Sequence, residues 1–252
     1  MKRAIFSTST KGGVGKTLFS RGLLDRHRRG GIRCAAYDCD ADVGQLAQYY
    51  GSRDKKGSLT IEQDPLAGVG MIDIQDPIEI IDAIDLGADV LLYDLPGGHM
   101  PDLGSLVGGN QGYKGLVSTF KEADYAVTIA IVITPYKKAI LAVQDALDAF
   151  GDTVDYVVVE NAFYGTPEDY LLWIESATRQ RLIDAGGQVI RMPALQAGTL
   201  VLLDEHNLSF REGRDSIRLL KRGHCSRIHS FMHGLDEEIN QVALLLGLGS
   251  PE

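Results

Sequence analysis

The chain has 252 residues, and 44% of them are apolar, so one domain can bury a substantial core. Its formal net charge of −9 excludes a uniformly basic nucleic-acid coat, although a local basic patch is still possible. Three cysteines without CxxC spacing indicate reduced thiols in a cytoplasmic protein, and no apolar run reaches the roughly 18 residues of a membrane span.

Apolar stretches alternate with amphipathic ones along most of the chain. We predict strands at 4–7, 32–37, 69–74, 90–95, 125–134, 154–160 and 189–192. We predict helices at 17–29, 77–86, 136–150 and 167–185, with a mainly helical part over 205–252. Residues 51–66 read as an irregular surface excursion, and the glycine-rich segment 97–115 reads as mobile.

The predicted strands are apolar on both faces, which is typical of a parallel sheet covered by helices on each side. We therefore predict one domain over 1–252, a three-layer α/β/α fold with a mainly parallel central sheet. In such folds the ligand binds at the carboxyl ends of the strands.

The first predicted strand runs into a glycine-rich turn, and a helix is predicted directly after it. Backbone N–H groups of such a turn point at phosphate oxygens, and the helix N-terminus favours their charge. Lys16 would neutralise the β- and γ-phosphates, and the Thr17 hydroxyl would ligate Mg²⁺. The pattern predicts a P-loop NTPase with ATP and Mg²⁺ as cofactors. The predicted phosphate-binding residues are Lys11, Gly12, Gly13, Val14, Gly15, Lys16, Thr17 and Leu18.

An extra lysine, Lys11, opens this loop. With it, the segment from Lys11 to Thr17 resembles the deviant Walker A motif of the MinD/ParA family of ATPases. The resemblance implies that Lys11 reaches across an ATP-dependent homodimer to the partner's nucleotide, as a finger supplied in trans. An ordinary surface lysine is the alternative interpretation.

Acidic residues follow two of the predicted strands. Asp38 and Asp40 lie on the same side of an extended chain, and Asp94 comes at the end of the strand at 90–95. The resemblance implies that Asp40 positions or activates the attacking water and that Asp38 and Asp94 hold the magnesium shell. Pro96 to Gly98 would then be a second switch. A capping cluster at a strand-to-helix turn is the alternative for the first two aspartates.

The strand at 154–160 is followed by Asn161, where the family places an asparagine that contacts the adenine. The family usually continues with a basic residue, but Ala162 stands here. The resemblance also brings Pro193 beside the base. An asparagine that simply closes a turn is the alternative.

Five basic residues near the end of the chain would fall within about 100° of arc on one continuous helix. This stripe resembles the basic surfaces with which ParA-type proteins bind DNA phosphates without sequence preference. A solvated face, with its arginines paired to Glu212 and Asp215, is the alternative. The five residues are Arg211, Arg214, Arg218, Lys221 and Arg222.

The last segment argues against membrane targeting, because acidic residues 236–238 flank the apolar stretch and would be repelled by anionic lipid. His224, Cys225, His229 and His233 form a candidate metal set, but no further ligand is obvious and we do not expect a metal there.

The leading functional hypothesis is therefore an ATP-gated switch, closer to ParA-like members than to membrane-targeted MinD. Slow, partner-stimulated hydrolysis would reset a homodimer that binds non-specific DNA and a small adaptor or ParB-like protein, in DNA or plasmid segregation or in positioning, in the cytoplasm or at the nucleoid. The alternative is an ATP-dependent metabolic enzyme of the ligase type. Such an enzyme needs a second-substrate pocket, for which 97–115 is the candidate region.

Overall fold

The computed structural model describes residues 2–40, 44–74, 78–99 and 112–249. Within them, parallel strands form one sheet in the order β3-β2-β4-β1-β5-β6-β7. The parallel α/β fold is thus confirmed. The strands are β1 (Lys2–Thr8), β2 (Cys34–Asp38), β3 (Gly70–Met71), β4 (Val90–Asp94), β5 (Tyr125–Ile133), β6 (Asp155–Asn161) and β7 (Gln188–Met192).

Helices cover both faces of the sheet. Those that follow the first four strands in sequence are α1 (Lys16–Arg29), α2 (Gln45–Tyr50), α3 (Ile78–Asp82) and α4 (Tyr113–Glu122). Those of the second half are α5 (Lys137–Phe150), α6 (Leu171–Ile174), α7 (Ala177–Asp184), α8 (Ala197–Glu205), α9 (Phe210–Asp215) and α10 (Ile217–Gln241). Short 3₁₀ helices lie at Ala83–Leu86, Ala162–Tyr164, Pro167–Tyr170 and Ala243–Leu246.

The sheet separates two hydrophobic cores. Successive residues of β1 point to opposite faces, so Phe6 belongs to one core and Ile5 to the other. Phe6 stacks on Tyr93, with ring centroids 4.8 Å apart, on the face covered by α4 and α5. Ile5 belongs to the core that α1 and α10 cover with Phe19 and Phe231. With both faces covered, the carboxyl edge of the sheet is left for polar side chains.

Local structure departs from the prediction in the middle of the chain. The helix predicted over 167–185 is broken, because Ser176 leaves the helical conformation and caps α7, its Oγ accepting from the backbone of Arg179 at 3.1 Å. Helices α2 and α4 were not predicted, and the strand expected at 69–74 pairs over two residues only. Most of the glycine-rich segment, 100–111, lies outside the described residues, as does Pro77.

The single helix assumed for the basic stripe is wrong. α9 ends at Asp215, Ser216 is not helical, and Lys221 has φ 64° and ψ 156° inside α10. Both Leu220 and Cys225 are buried in one core, although five residues on a continuous helix would turn them about 140° apart. The break at Lys221 lets both side chains reach that core, and it removes the predicted 100° arc.

Candidate functional site

A cavity of about 270 Å³ lies at the carboxyl end of the sheet, beside the end of β1. Its walls come from the loop between β1 and α1, from the end of β2 with α2, and from the loops after β4 and β6. It is lined by Lys11, Gly12, Gly13, Gly15, Lys16, Thr17, Leu18, Arg21, Asp40, Gln45, Tyr49, Gly97, Asn161, Phe163, Tyr164 and Leu200. The structure thus brings most of the predicted phosphate loop together with Asp40 and Asn161, and with Gly97 of the predicted second switch.

The loop between β1 and α1 depends on its glycines. Gly13 and Gly15 have φ of 79° and 97°, which side chains rarely adopt. A Cβ on Gly15 would lie 2.3 Å from Nδ2 of Asn161, so the loop and the end of β6 touch directly. A Cβ on Gly97 would lie 2.4 Å from the carbonyl carbon of Lys11. The loops after β1 and β4 therefore pack backbone against backbone.

Asp94 is the centre of a buried polar network that includes two residues of the cavity wall, Lys16 and Thr17. The Lys16 ammonium lies 2.8 Å from Oδ1 of Asp94, and Thr17 donates its hydroxyl to Oδ2 at 2.7 Å. Ser20 donates to Oδ1 at 2.6 Å. Asp94 is 1% exposed, so its charge is compensated by these three partners and not by water. Ser20 was not predicted, although it stands on the same face of α1 as Lys16, four residues on.

These groups fit a magnesium ion in chemistry. The hydroxyl of Thr17 and the carboxylate of Asp94 are adjacent oxygens, the kind of ligand that Mg²⁺ prefers. Asp38 lies opposite Asp94 in the register of β2 and β4. The structure therefore brings together all three residues predicted to serve the metal.

Asp38 is also a structural residue. Its carboxylate accepts from the backbone N–H of Asp40 at 3.1 Å, of Leu46 at 2.6 Å and of Ala47 at 3.1 Å, so it caps the start of α2. Burial, and secondly the charge of Asp94, raise the pKa of Asp38 to about 6. Capping was the alternative interpretation of this residue. Asp40 is half-buried and lines the cavity, and its role toward water stays a prediction.

Asn161 holds the phosphate loop in place. Its Nδ2 donates to the carbonyl of Val14 at 2.8 Å, and its Oδ1 accepts from the backbone of Phe163 at 3.0 Å. Tyr164 donates its hydroxyl to the carbonyl of Gly13. The hydrogen bonds of Asn161 do not bear on its predicted contact with adenine, which stays a prediction. An apolar wall of the cavity that was not predicted is formed by Phe163, Tyr164 and Leu200. Pro193, in contrast, lines a separate cavity beside α10.

Lys11 lies at the rim of the cavity and is exposed. Its ammonium is 5.9 Å from the ring centroid of Tyr136, which is 59% exposed. The backbone of Lys11 is fixed by Ser9, whose hydroxyl donates to its carbonyl at 3.0 Å. The loop is thus held while the side chain extends along the surface.

The basic residues of the C-terminal part do not form the predicted stripe. Arg214 pairs with Asp215 at 2.7 Å, as the alternative interpretation held, whereas Glu212 closes a capping box with Ser209. Arg211, Arg218, Lys221 and Arg222 are exposed on segments separated by the breaks at Ser216 and Lys221.

Three of the four residues in the candidate metal set contact other side chains or the backbone. His224 Nδ1 lies 3.0 Å from the Thr199 hydroxyl, and the buried thiol of Cys225 donates to the carbonyl of Gly213. His233 lies 3.7 Å from Glu237. His229 is exposed. In the described ranges no three His, Cys, Asp or Glu side chains form a group suited to a metal ion. Over the same ranges no helix is long and apolar enough to cross a membrane.

Fold and site together define a P-loop nucleotide-binding protein. The sequence matches the CobQ/CobB/MinD/ParA nucleotide binding domain over residues 5–149, more than half of the chain. The chain therefore belongs to this family, as the motif around Lys11 predicted. The match spans the MinD and ParA branches and does not choose between them.

Solved structures of low sequence identity share the fold. The septum site-determining protein MinD of Pyrococcus horikoshii, complexed with Mg-ADP, is 13% identical with a TM-score of 0.56, over 97% of this chain and 99% of that chain. The cell division ATPase MinD of Pyrococcus furiosus is 15% identical with a TM-score of 0.53, over 96% and 100%. Among curated proteins, no sequence matches the chain.

Proposed function

We propose that this protein binds Mg-ATP in the cavity, hydrolyses it slowly, and uses the bound ATP to hold two copies of the chain together. The observation that carries the proposal is the contrast between two lysines of one loop. Lys16 is buried and paired with Asp94, whereas Lys11 is exposed at the rim of the same cavity. We therefore take Lys16 to bind the chain's own nucleotide and Lys11 to reach the nucleotide of a facing copy.

The residues of this chain supply most of the binding chemistry. The backbone of Gly13 to Thr17 surrounds the phosphates. The Lys16 ammonium, which pairs with Asp94 in the structure, turns to the phosphate oxygens when the nucleotide binds. Asp94 and Thr17 are then free to face the metal, with Asp38 beside them. When bound, magnesium neutralises phosphate charge. Asp40, which lines the cavity, orients the attacking water.

Lys11 acts in trans under this proposal. In the single chain its ammonium is 5.9 Å from the Tyr136 ring, a weak contact at an exposed site. A phosphate in a facing copy would be a far stronger partner for an ammonium. Since the Lys11 backbone packs against Gly97, movement of the loop after β4 would also shift the Lys11 backbone.

We further propose that the ATP-bound dimer binds DNA without sequence preference, through the exposed basic residues of 211–222, and that a small protein partner stimulates hydrolysis. The task would be segregation or positioning, closer to ParA-like members of the family. Retention on DNA should require ATP and fall steeply between low and high salt. The ligase alternative is not retained, because no observation in the described residues favours it.

The substitution Lys11→Ala tests the dimer. We expect wild-type protein to sediment as a dimer with a non-hydrolysable ATP analogue and Lys11→Ala to stay a monomer, while its Kd for the nucleotide changes by less than about threefold. Lys121→Ala is the matched control, an exposed lysine at the end of α4, close to the opposite edge of the sheet. If Lys11→Ala dimerised and hydrolysed ATP as wild type does, the proposed role of Lys11 would be wrong.

A further inference from the structure

Arg21 is a buried cation that lines the nucleotide cavity. It stands on α1 four residues after Thr17, hence on the same face and about 6 Å further along the helix axis. Only 4% of its surface is exposed. An arginine at this depth needs compensation of its charge, because burial of an unpaired ion is costly.

The surroundings of Arg21 compensate the charge only in part. Its guanidinium carbon lies 3.5 Å from the ring centroid of Tyr49 and 4.5 Å from that of Phe210. One Nη donates to the carbonyl of Leu208 at 3.2 Å, while Nε has no hydrogen-bond partner. The Tyr50 side chain also faces the guanidinium and favours its charged form. Aromatic faces, a carbonyl and a hydroxyl attract a cation, but they carry no formal charge.

None of the described residues places a carboxylate at salt-bridge distance from Arg21. In the described part of the chain no Asp or Glu lies within 4.0 Å of the guanidinium, and the exposed Asp204 acts on it only from a distance. Asp204 instead accepts the Tyr49 hydroxyl at 2.6 Å. Arg29, on the same helix, shows the ordinary solution, with Asp25 at 2.6 Å and Asp236 at 2.9 Å. Burial accordingly lowers the pKa of Arg21.

We propose that Arg21 is a second buried ligand-binding cation of the cavity, and that its missing counter-ion is an anionic oxygen of the bound ligand. The inference rests on the proposed function, because it takes the cavity to hold a nucleotide. The oxygen belongs either to a nucleotide phosphate or to a separate oxyanion bound next to the nucleotide. In both cases Arg21 closes the end of the cavity formed by Gln45 and Tyr49.

The substitution Arg21→Met separates this role from a structural one. Methionine keeps an apolar stem of similar length and removes a charge that has no carboxylate partner within 4.0 Å among the described residues. We expect the melting temperature of the ligand-free variant to equal or exceed that of wild type, and its affinity for ATP or ADP to fall about tenfold or more. Arg21→Lys should recover part of that affinity.

The control is Arg26→Met, which removes a cation from the same helix outside the cavity. Arg26 is paired with Asp236 at 3.7 Å, and its side chain is 27% exposed. We expect it to bind nucleotide as wild type does. Calorimetric titration with ATP and ADP gives the affinities, and thermal unfolding with and without nucleotide gives the ligand-induced shift.

A further titration identifies the source of the oxygen. If Arg21→Met binds ATP and ADP as wild type does, inorganic phosphate is titrated into both ADP-loaded proteins. Phosphate binding by wild type but not by the variant would show that Arg21 binds a separate oxyanion next to the nucleotide. A lower melting temperature with every affinity unchanged would overturn the inference and leave Arg21 a structural residue. If wild type bound no nucleotide, the proposed function would fail, and phosphate titration of the free proteins would still decide the role of Arg21.

Discussion

The two edges of the central sheet treat their polar groups differently. At the carboxyl edge, Lys16 and Asp94 compensate each other, and Arg21 has no carboxylate partner at salt-bridge distance among the described residues. At the amino edge, the Thr128 hydroxyl donates to the carbonyl of Leu245 at 2.6 Å. Nε2 of His27 lies 2.6 Å from the carbonyl oxygen of Leu246. Under the proposed function, a ligand binds the polar groups of the carboxyl edge, whereas the C-terminal turn already hydrogen-bonds those of the amino edge.

The comparison separates binding from stability. Under the proposed function, substitution of a ligand-binding cation at the carboxyl edge should lower the affinity for nucleotide. Substitutions at the amino edge should lower the free energy of unfolding and leave the affinity for nucleotide unchanged. Four substitutions test this division, from the largest expected effect to the smallest.

Lys16→Ala should abolish nucleotide binding in practice. The side chain is the one buried ammonium of the phosphate loop, and its loss also leaves Asp94 without its charged partner. We expect the Kd for ATP to rise by a factor on the order of 100 or more. Calorimetric titration measures it, with Lys121→Ala as the control. An affinity for ATP within tenfold of wild type would show that Lys16 does not bind the phosphates.

His27 should make stability depend on pH. Its Nε2 faces a carbonyl oxygen, so Nε2 carries the proton of a neutral ring, and burial lowers the pKa of His27 to about 4. The folded pKa is below the ordinary 6.5, so the contribution is complete above pH 6.5 and is lost as the pH falls toward 4. We expect a loss of roughly 2 to 3 kcal/mol between pH 7 and pH 4.5 from this residue.

Urea unfolding at a series of pH values measures that loss. His27→Gln keeps an N–H donor for Leu246 and removes the titration, so its stability should vary less with pH by about the same 2 to 3 kcal/mol. Its affinity for nucleotide should match wild type at pH 7. Identical pH profiles for the two proteins would contradict the assignment.

Gly97→Ala should strain the contact between the loops after β1 and β4. The new methyl would meet the carbonyl carbon of Lys11 at 2.4 Å, where backbone must move. We expect the free energy of unfolding to fall by about 2 kcal/mol. Gly12→Ala is the control, because a Cβ there meets nothing within 4 Å. Equal stability of both variants would show that the two loops are not tightly packed.

Thr128→Val should have the smallest effect, on stability alone. Valine keeps the shape of threonine but loses the hydroxyl that donates to Leu245 and accepts from Arg3 at 2.8 Å. We expect about 1 kcal/mol of destabilisation and unchanged nucleotide affinity. Thr119→Val, which removes a hydroxyl bonded to Gly115 within α4, should cost less. A change in the Kd for ATP would break the division between the two edges.

The predictable part of the site is the part that is local in sequence. Lys16 and Thr17 are recognisable because a phosphate loop requires them at fixed spacing, and Asp94 because it ends a buried strand. Ser20 and Arg21 were missed because their roles come from contacts with distant residues, Asp94 for the first and Tyr49 and Phe210 for the second. Nothing in the helical pattern of α1 distinguishes them.

The same reasoning explains where local structure was mispredicted. The basic stripe assumed that helical geometry continues through Ser216 and Lys221, which holds only if packing allows it. Burial of Leu220 and Cys225 on one side overrides that local pattern. The Ser209 and Glu212 spacing, in contrast, is a capping-box signature that can be read directly and that marks the start of a new helix at Phe210.

The bond between His27 and Leu246 also sets an order of events during synthesis. His27 belongs to the first helix, and the carbonyl that satisfies it is made more than two hundred residues later. While the chain is still on the ribosome, the first helix can pack on the sheet, but its histidine stays without this partner. During synthesis, therefore, this contact can form only after residue 246 has been translated, when the phosphate loop and the residues that brace it are already present.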